Sequence, residues 1–335
     1  MNQIFKVAID AMGGDFAPRV PVEGAVLAAS HENTEVLLVG DVDKVQAELA
    51  NYDSSGLSIS VVPSKGKVED HEPPALALRQ KPEASILVAT GLVKNGLADA
   101  VISMGSTGGT MAAAVITLGI IEGIERPAIG GPIVGSAPNQ TILDLGSNID
   151  CKAAQLLGFG VLGSVFSSVL LQVKNPRIAV LSIGSEAGKG NALAKEAAEL
   201  FKKSGLNFIG NVEGNDLVTG KADVVVCDGF VGNVVLKLIE GLGSGLAEQL
   251  QSTLGSILPP GSVSKLIKEL YERNNVVDSR GGGPVFGVNG VSIIGHGSAG
   301  PSTIERAVEL ARMCVDTKLI EEMNIQVPKV MATAG

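Results

Sequence analysis

Tryptophan is missing from this chain of 335 residues, and aromatic residues together make up 3%. Stacking platforms for single-stranded nucleic acid need such rings, so their scarcity argues against that role. A positive charge excess is missing too: 26 Lys and Arg stand against 35 Asp and Glu, a formal net charge of −9. That argues against a broad phosphate-backbone footprint, though not against a local basic pocket. There are three cysteines, Cys151, Cys227 and Cys314, an odd and widely spaced set that suggests reduced thiols in an intracellular protein. His31, His71 and His296 are far apart and have no metal-ligand spacing with the cysteines, so no metal is expected. Met1–Val7 reads as a first strand rather than a leader, and no apolar run reaches the ~20 residues of a membrane span.

Glycine is abundant instead: 43 residues, about 13% against a usual ~7%. The glycines follow no fixed short period. They gather at strand ends and helix starts, where backbone turns sharply or approaches a ligand. Hydrophobic residues at 45% and charged residues at 18% describe a globular chain with a large core.

Short β-branched runs alternate with helical patterns. Strands are expected at 5–9, 36–39, 58–62, 100–103, 128–134, 141–145, 177–183, 208–211, 224–227 and 292–294. Val224-Val225-Val226 is apolar on both faces, the mark of a buried parallel sheet. The clearest helix runs from Asn191 to Lys203, with Leu193, Ala197, Leu200 and Phe201 on one face and Gly205 as its stop. The last helix begins near Pro301, with Ile304, Val308, Ala311, Val315 and Leu319 on its core face. Such alternation predicts a doubly wound α/β fold with a mostly parallel sheet. No linker divides the chain, so 1–335 is expected to be a single α/β domain. Within it, 229–275 reads as a helical hairpin: Leu238, Leu242, Leu246, Leu250 and Leu254 recur every four residues, Ile257–Gly261 breaks the helix, and Val263, Leu266, Ile267, Leu270 and Tyr271 start a second stripe. Dimerisation and contact with a membrane surface are both open uses of these apolar faces.

Ligands in such folds bind beyond the carboxyl ends of the strands, which directs attention to five loops. They are Asp10-Ala11-Met12-Gly13-Gly14-Asp15, Ser103–Thr110, Asp144–Asp150, Gly184–Asn191 and Asp228–Asn233. A Gly/Ser/Thr loop at a helix start, such as Ser106–Thr110, offers N–H donors to an anion, or simply caps its helix. Lys189 is more informative. A cation near a helix start opposes the macrodipole, and Gly188 and Gly190 let its ammonium approach a phosphate or an oxyanion. Asn233 either donates to the same centre or caps the helix that follows Asp228. His296, in a Gly-His-Gly-Ser loop, either lines the site or is structural. Cys227, at the end of an apolar strand, reads as filler.

Other motifs fail on context. Gly158-Phe159-Gly160-Val161-Leu162-Gly163 matches GxGxxG but lies inside an apolar helix rather than after a strand. Gly184–Lys189 is one residue short of a Walker A loop, and Gly190 replaces its Ser or Thr. No GxSxG elbow is present. From the residues alone the chain reads as a metal-free α/β enzyme with an anion pocket, one pocket lysine and no obvious covalent nucleophile.

Those loops, in this order, resemble the bacterial fatty acyl-ACP:phosphate acyltransferases, the PlsX family. The stretches that carry the resemblance are Ala8–Pro18, Leu143–Cys151, Asn207–Gly214, Ala222–Asn233 and His296-Gly297-Ser298. The resemblance extends from about residue 4 to residue 315. It implies transfer of a fatty acyl group from the thioester of acyl carrier protein to inorganic phosphate, giving acyl phosphate for phospholipid synthesis without a cofactor. It implies a fold related to phosphotransacetylases and to isocitrate/isopropylmalate dehydrogenases, and a homodimer. It also implies a cytoplasmic protein that touches the membrane peripherally through Ile257–Gly261 and hands its product to the glycerol-3-phosphate acyltransferase. The family's functional lysine and asparagine correspond to Lys189 and Asn233. Asp10, Gly13, Gly14, Gly105, Ser106, Thr107, Gly108, Asn148, Asp228 and His296 are the expected substrate-binding residues. The sequence departs from the family at Gly105-Ser106-Thr107-Gly108, where Gly-Asn-Thr-Gly is usual. Two rival readings are a short-chain phosphotransacetylase using acyl-CoA and a non-catalytic lipid-synthesis scaffold. The misplaced glycine motif disfavours a third, an NAD-dependent dehydrogenase.

Overall fold

In a computed structural model, which describes residues 4–254, 257 and 260–334, strands and helices alternate along the chain. The strands are β1 (Phe5–Asp10), β2 (Thr34–Gly40), β3 (Ile59–Pro63), β4 (Ala100–Ser103), β5 (Ala128–Pro132), β6 (Thr141–Leu143), β7 (Ile178–Leu181), β8 (Phe208–Val212), β9 (Val224–Val226), β10 (Gly283–Phe286) and β11 (Val291–Ile294). The helices are α1 (Arg19–Ala29), α2 (Val42–Leu49), α3 (Pro74–Gln80), α4 (Ser85–Lys94), α5 (Thr107–Leu118), α6 (Ala153–Val169), α7 (Ala192–Lys203), α8 (Gly229–Leu254), α9 (Pro260–Asn274), α10 (Val276–Ser279), α11 (Pro301–Asp316) and α12 (Leu319–Ala334).

The chain divides into two compact units, Met1–Glu122 with Arg280–Asn324 and Gly123–Ser279 with Ile325–Gly335. It passes from one to the other more than once, so no single segment joins them and composition marks no linker.

In the first unit the strand order is β3-β2-β1-β4-β11-β10, parallel except for β10 against β11. Val7, Ala8 and Ile9 are buried, as a central parallel strand requires. The chain winds outward through β2 and β3 and then returns to place β4 on the other side of β1. The loops after β1 and β4 therefore meet where the winding reverses, the usual ligand position in such sheets. Ala8, Val39, Ala89, Val101 and Ala113 make one core of this unit.

In the second unit the order is β5-β6-β9-β7-β8, with only β5–β6 antiparallel. Ile142, Ala179, Val212, Val225 and Leu236 form one of its cores. The GxGxxG run lies within α6, where Gly160 faces the Phe201 ring and Gly163 faces Val224, so these glycines serve packing.

The structure corrects several sequence expectations. β10 was not among the expected strands; it pairs with β11 as an antiparallel strand. The last helical stretch breaks at Lys318, which has φ 54°, so Leu319 opens α12, and Cys314 rather than Val315 continues the buried face of α11. α8 and α9 form the expected helical pair and pack on each other, but the leucine stripe is not its buried face. Leu238, Leu242 and Leu246 are 59%, 56% and 51% exposed, whereas Leu236, Gly243 and Ala247 are buried. Leu236 stands two residues from Leu238, about 200° round the helix, so α8 buries the face opposite the start of the stripe. By length and composition α8 is also sufficient to cross a membrane, which the sequence reading had not expected. Of the membrane-contact tip expected at Ile257–Gly261, Ile257 is exposed and residues 258–259 lie outside the described residues.

Candidate active site

Each unit builds a corner around an aspartate that ends a strand. In the first unit Asp10 ends β1 and is buried. Its carboxylate accepts from the Ser103 hydroxyl at 2.8 Å and the Met12 N–H at 3.1 Å. Burial holds the Asp10 carboxyl above the ordinary carboxylate range, and those hydrogen bonds offset only part of that push. Gly13 closes over the carboxylate: a Cβ there would stand 2.7 Å from Asp10 Oδ2 and 2.8 Å from the Gly105 nitrogen. No side chain fits between these two loops. Gly14 lies beside Met104 and Gly297, and the Asp15 N–H donates to the Gly297 carbonyl at 2.8 Å. Asp10, Gly13, Gly14, Gly105 and the half-buried His296 loop thus converge at the ends of β1, β4 and β11.

At the α5 start the structure shows the capping use of the loop. Ser106 is the N-cap, and its hydroxyl accepts from Gly109 N–H at 3.3 Å. Pro74 of α3 sits against Gly108, where a Cβ would come within 2.6 Å of its ring. Gly108 thereby explains itself as a helix-packing residue, and Thr107 remains exposed at the first helical position.

In the second unit Asp144 follows β6 and is fully buried. Its Oδ1 accepts from the N–H groups of Ile129, Gly146 and Ser147, each at 3.2 Å, and from the Ser147 hydroxyl at 2.6 Å. Oδ2 accepts from Asn148 N–H at 2.6 Å and from its side-chain amide at 2.9 Å. The Asn148 amide also donates to the Pro127 carbonyl at 2.9 Å. Asn148 is thus buried and helps to hold this turn together. Gly229 N–H donates to the Asn148 carbonyl at 2.7 Å, and a Cβ on Gly232 would run into the Asp144 carbonyl oxygen. This close approach fixes the first turn of α8.

Asp228 caps that turn, accepting from Val231 N–H at 2.8 Å. Asn233 is therefore not the cap. It lies on the exposed side of α8 with its side chain beside Gly146. Lys189 is exposed on the loop before α7. Its backbone N–H donates to Glu186 O at 3.0 Å, its carbonyl accepts from the Asn211 amide at 3.3 Å, and its stem lies over Gly184. Asn191, one residue past Gly190, caps α7 through Ala194 N–H at 2.9 Å.

β7 and β9 are neighbours, so the Lys189 loop and the Asn233 turn leave adjacent strand ends. Between them opens a cavity of about 200 Å³, lined by Leu156, Val180, Ser182, Ile183, Gly190, Leu193, Ala194, Cys227, Asp228 and Val231 among others. The thiolate form of all three cysteines is disfavoured in this setting. Burial pushes the Cys151 thiol up to about 11 and the Cys314 thiol up to about 12, and burial followed by the Asp228 and Asp144 charges drives Cys227 higher still.

Sequence reasoning missed three contributors. Asp144 was seen only as part of a loop, although an Asp followed by Gly, Ser and Asn within four positions is a signature of a self-bonded turn. Ser103 was legible as a polar residue ending an apolar strand. Ser182 left no signal.

A family model described as "Fatty acid synthesis protein" matches residues 5–322. The phosphate acyltransferase of Pelotomaculum thermopropionicum is 42% identical over 329 residues, covering 97% of this chain and 96% of that protein. Among solved structures, a phosphotransacetylase from Streptococcus pyogenes is similar with TM-score 0.61 at 16% identity, covering 95% of this chain and 94% of that one. A 4-hydroxythreonine-4-phosphate dehydrogenase from Klebsiella pneumoniae has TM-score 0.52 at 15% identity, covering 94% and 98%. The last two likenesses concern the fold alone.

Proposed function

Because the chain belongs to the phosphate acyltransferase family and is an acyltransferase acting on phosphate, we propose that its donor is a fatty acyl thioester of acyl carrier protein, its product serves phospholipid synthesis, and Lys189 and Asn233 are its catalytic residues. The observation that supports this most is the cavity between the β7 and β9 ends, bordered by the loop of Lys189 and the turn of Asn233. A phosphate oxygen attacks the thioester carbonyl carbon, forming the new C–O bond. Collapse of the tetrahedral intermediate breaks the C–S bond, and the proton of the attacking phosphate ends on the departing thiol. Phosphate is already an anion, so the enzyme's task is positioning and electrostatic stabilisation rather than making a nucleophile. Lys189 offsets phosphate charge and Asn233 donates to the carbonyl oxygen as it becomes an oxyanion.

The reading also carries a homodimer, which would cover the exposed Leu238, Leu242 and Leu246, and a peripheral membrane contact of a cytoplasmic enzyme through the hairpin tip. Contact with the glycerol-3-phosphate acyltransferase follows from the product's chemistry, since an acyl phosphate is a reactive anhydride that needs prompt use.

The test is mass spectrometry for palmitoyl phosphate after mixing purified protein, palmitoyl carrier protein and phosphate. Palmitoyl phosphate and free carrier are expected in equal amounts. Lys189→Ala and Asn233→Ala are each expected to lower kcat by ~10²–10³, the usual cost of a lost oxyanion donor. Turnover of acetyl-CoA in preference to the carrier thioester would instead favour the short-chain phosphotransacetylase. Complex formation with no phosphate consumed would favour the scaffold.

A further inference from the structure

We propose that the cavity of about 200 Å³ between the ends of β7 and β9 receives the alkyl chain of the acyl donor, and that Ala194 and Leu156 set the chain length it accepts. The inference rests on the acyl-transfer reading and gives its substrate a place.

The lining decides between the two ends of such a donor. Leu156 comes from α6, Val180, Leu181 and Ile183 from β7 and its end, Leu193 and Ala194 from α7, and Val231 from α8. Two of the three polar side chains among them have an oxygen engaged in capping. Asn191 accepts from Ala194 N–H and Asp228 from Val231 N–H, each serving as a helix cap. The Ser182 hydroxyl is buried with no hydrogen-bond partner. Most of the lining is aliphatic, which an alkyl segment covers without needing hydrogen-bond partners, whereas a pantetheine arm carries two amides that need them.

Size fits a segment of a chain rather than a whole ligand. A cavity of ~150 Å³ is enough for benzene, whereas pockets that enclose a complete ligand run from ~300 Å³ upward. The chain therefore enters by one portion and continues outward. Ile183, which lines the cavity yet is 84% exposed, extends the apolar surface in that direction. Position suits the chemistry as well. Gly190 and Asn191 of the wall adjoin Lys189, and Val231 lies two residues before Asn233, so a chain seated here holds its thioester next to both.

The proposal is tested first on the unaltered protein. A carrier thioester of a palmitoyl chain bearing a diazirine is bound and irradiated, and cross-links are mapped by peptide mass spectrometry. Cross-links within 180–194 and 227–231 are expected; cross-links confined to other segments overturn the proposal. This measurement needs no turnover, so it decides the cavity even if no acyl phosphate forms and the acyl-transfer reading falls. The second arm compares kcat/KM for hexadecanoyl and octanoyl carrier thioesters. Ala194→Leu fills the cavity and is expected to move the ratio toward octanoyl by at least ~10-fold, the usual weight of one or more misfitted methylenes. Leu156→Ala enlarges it and is expected to move the ratio toward hexadecanoyl. Ser182→Val, close to the same volume, is expected to fold and to lower KM for both by removing an unpaired hydroxyl from the wall. Unchanged chain-length ratios in the first two variants, with wild-type thermal melts, or a raised KM in Ser182→Val, would refute the assignment while leaving acyl transfer intact.

Discussion

The two aspartate corners look alike in sequence, each an Asp at a strand end followed by glycine, yet they are held by different means. Asp144 gathers six donors from four residues, and its turn is fixed by hydrogen bonds. Asp10 receives the Ser103 hydroxyl and the Met12 N–H, and its corner is closed by the contact of Gly13 with Gly105. The more densely bonded carboxylate is an anchor, whereas at Asp10 burial outweighs the hydrogen bonds and the charge is a cost tolerated for the shape it helps to make. The anchored corner stands beneath Asn233, so rigidity there keeps an exposed amide in place.

That contrast can be broken most forcefully at Asp144. Asp144→Ala strands several buried N–H groups and is expected to cost at least ~3 kcal/mol, since each unsatisfied donor costs about 1–3. Asp10→Ala is expected to cost less, because burial already penalises that charge. Urea unfolding of both variants checks the order, and equal losses would erase the distinction.

A smaller effect is expected at Gly232. Gly232→Ala drives a methyl into the Asp144 carbonyl and must displace the first turn of α8. kcat is expected to fall more than ~10-fold, as small displacements in a catalytic array commonly do. Wild-type kcat would show that the turn does not position Asn233.

The third prediction concerns pH. The folded-state pKa of Asp10 is raised above its ordinary 3.8, so between these values the folded protein holds more protons than the unfolded one. This group's contribution to stability is therefore full below 3.8 and lost as pH rises through the folded value. Asp10→Asn lacks the proton, so wild type should gain stability relative to it as pH falls toward 4. A pH-independent difference in unfolding midpoints would contradict the cause given.

The smallest effect lies at Gly241, exposed in α8 with open space where a Cβ would go. Gly241→Ala should stabilise by about 0.5–1 kcal/mol through helix propensity. Thermal unfolding checks it, and it serves as the benign glycine against which Gly232→Ala is read.

Much of this was legible beforehand because parallel strands advertise themselves. Val224-Val225-Val226 and Val7-Ala8-Ile9 must be apolar on both faces, and Asn191 must stand before a helix that has no other cap. β10 was not legible, since a strand of Gly283-Pro284-Val285-Phe286 is made by its partner rather than by propensity. Nor was the exposed face of α8, because periodicity marks an apolar stripe without saying whether anything covers it.

The chain's own order of residues settled which loops end strands, which cap helices, and that Lys189 sits where no helix would choose a cation. Tertiary structure alone decided that the start of α8 packs on the Asp144 turn, with Gly232 against the Asp144 carbonyl and Gly229 N–H on the Asn148 carbonyl, and that Ser182 faces a cavity. The reason is that local preferences act over a few neighbours, whereas each of these outcomes depends on strands β6, β7 and β9 lying side by side, a pairing across tens of residues.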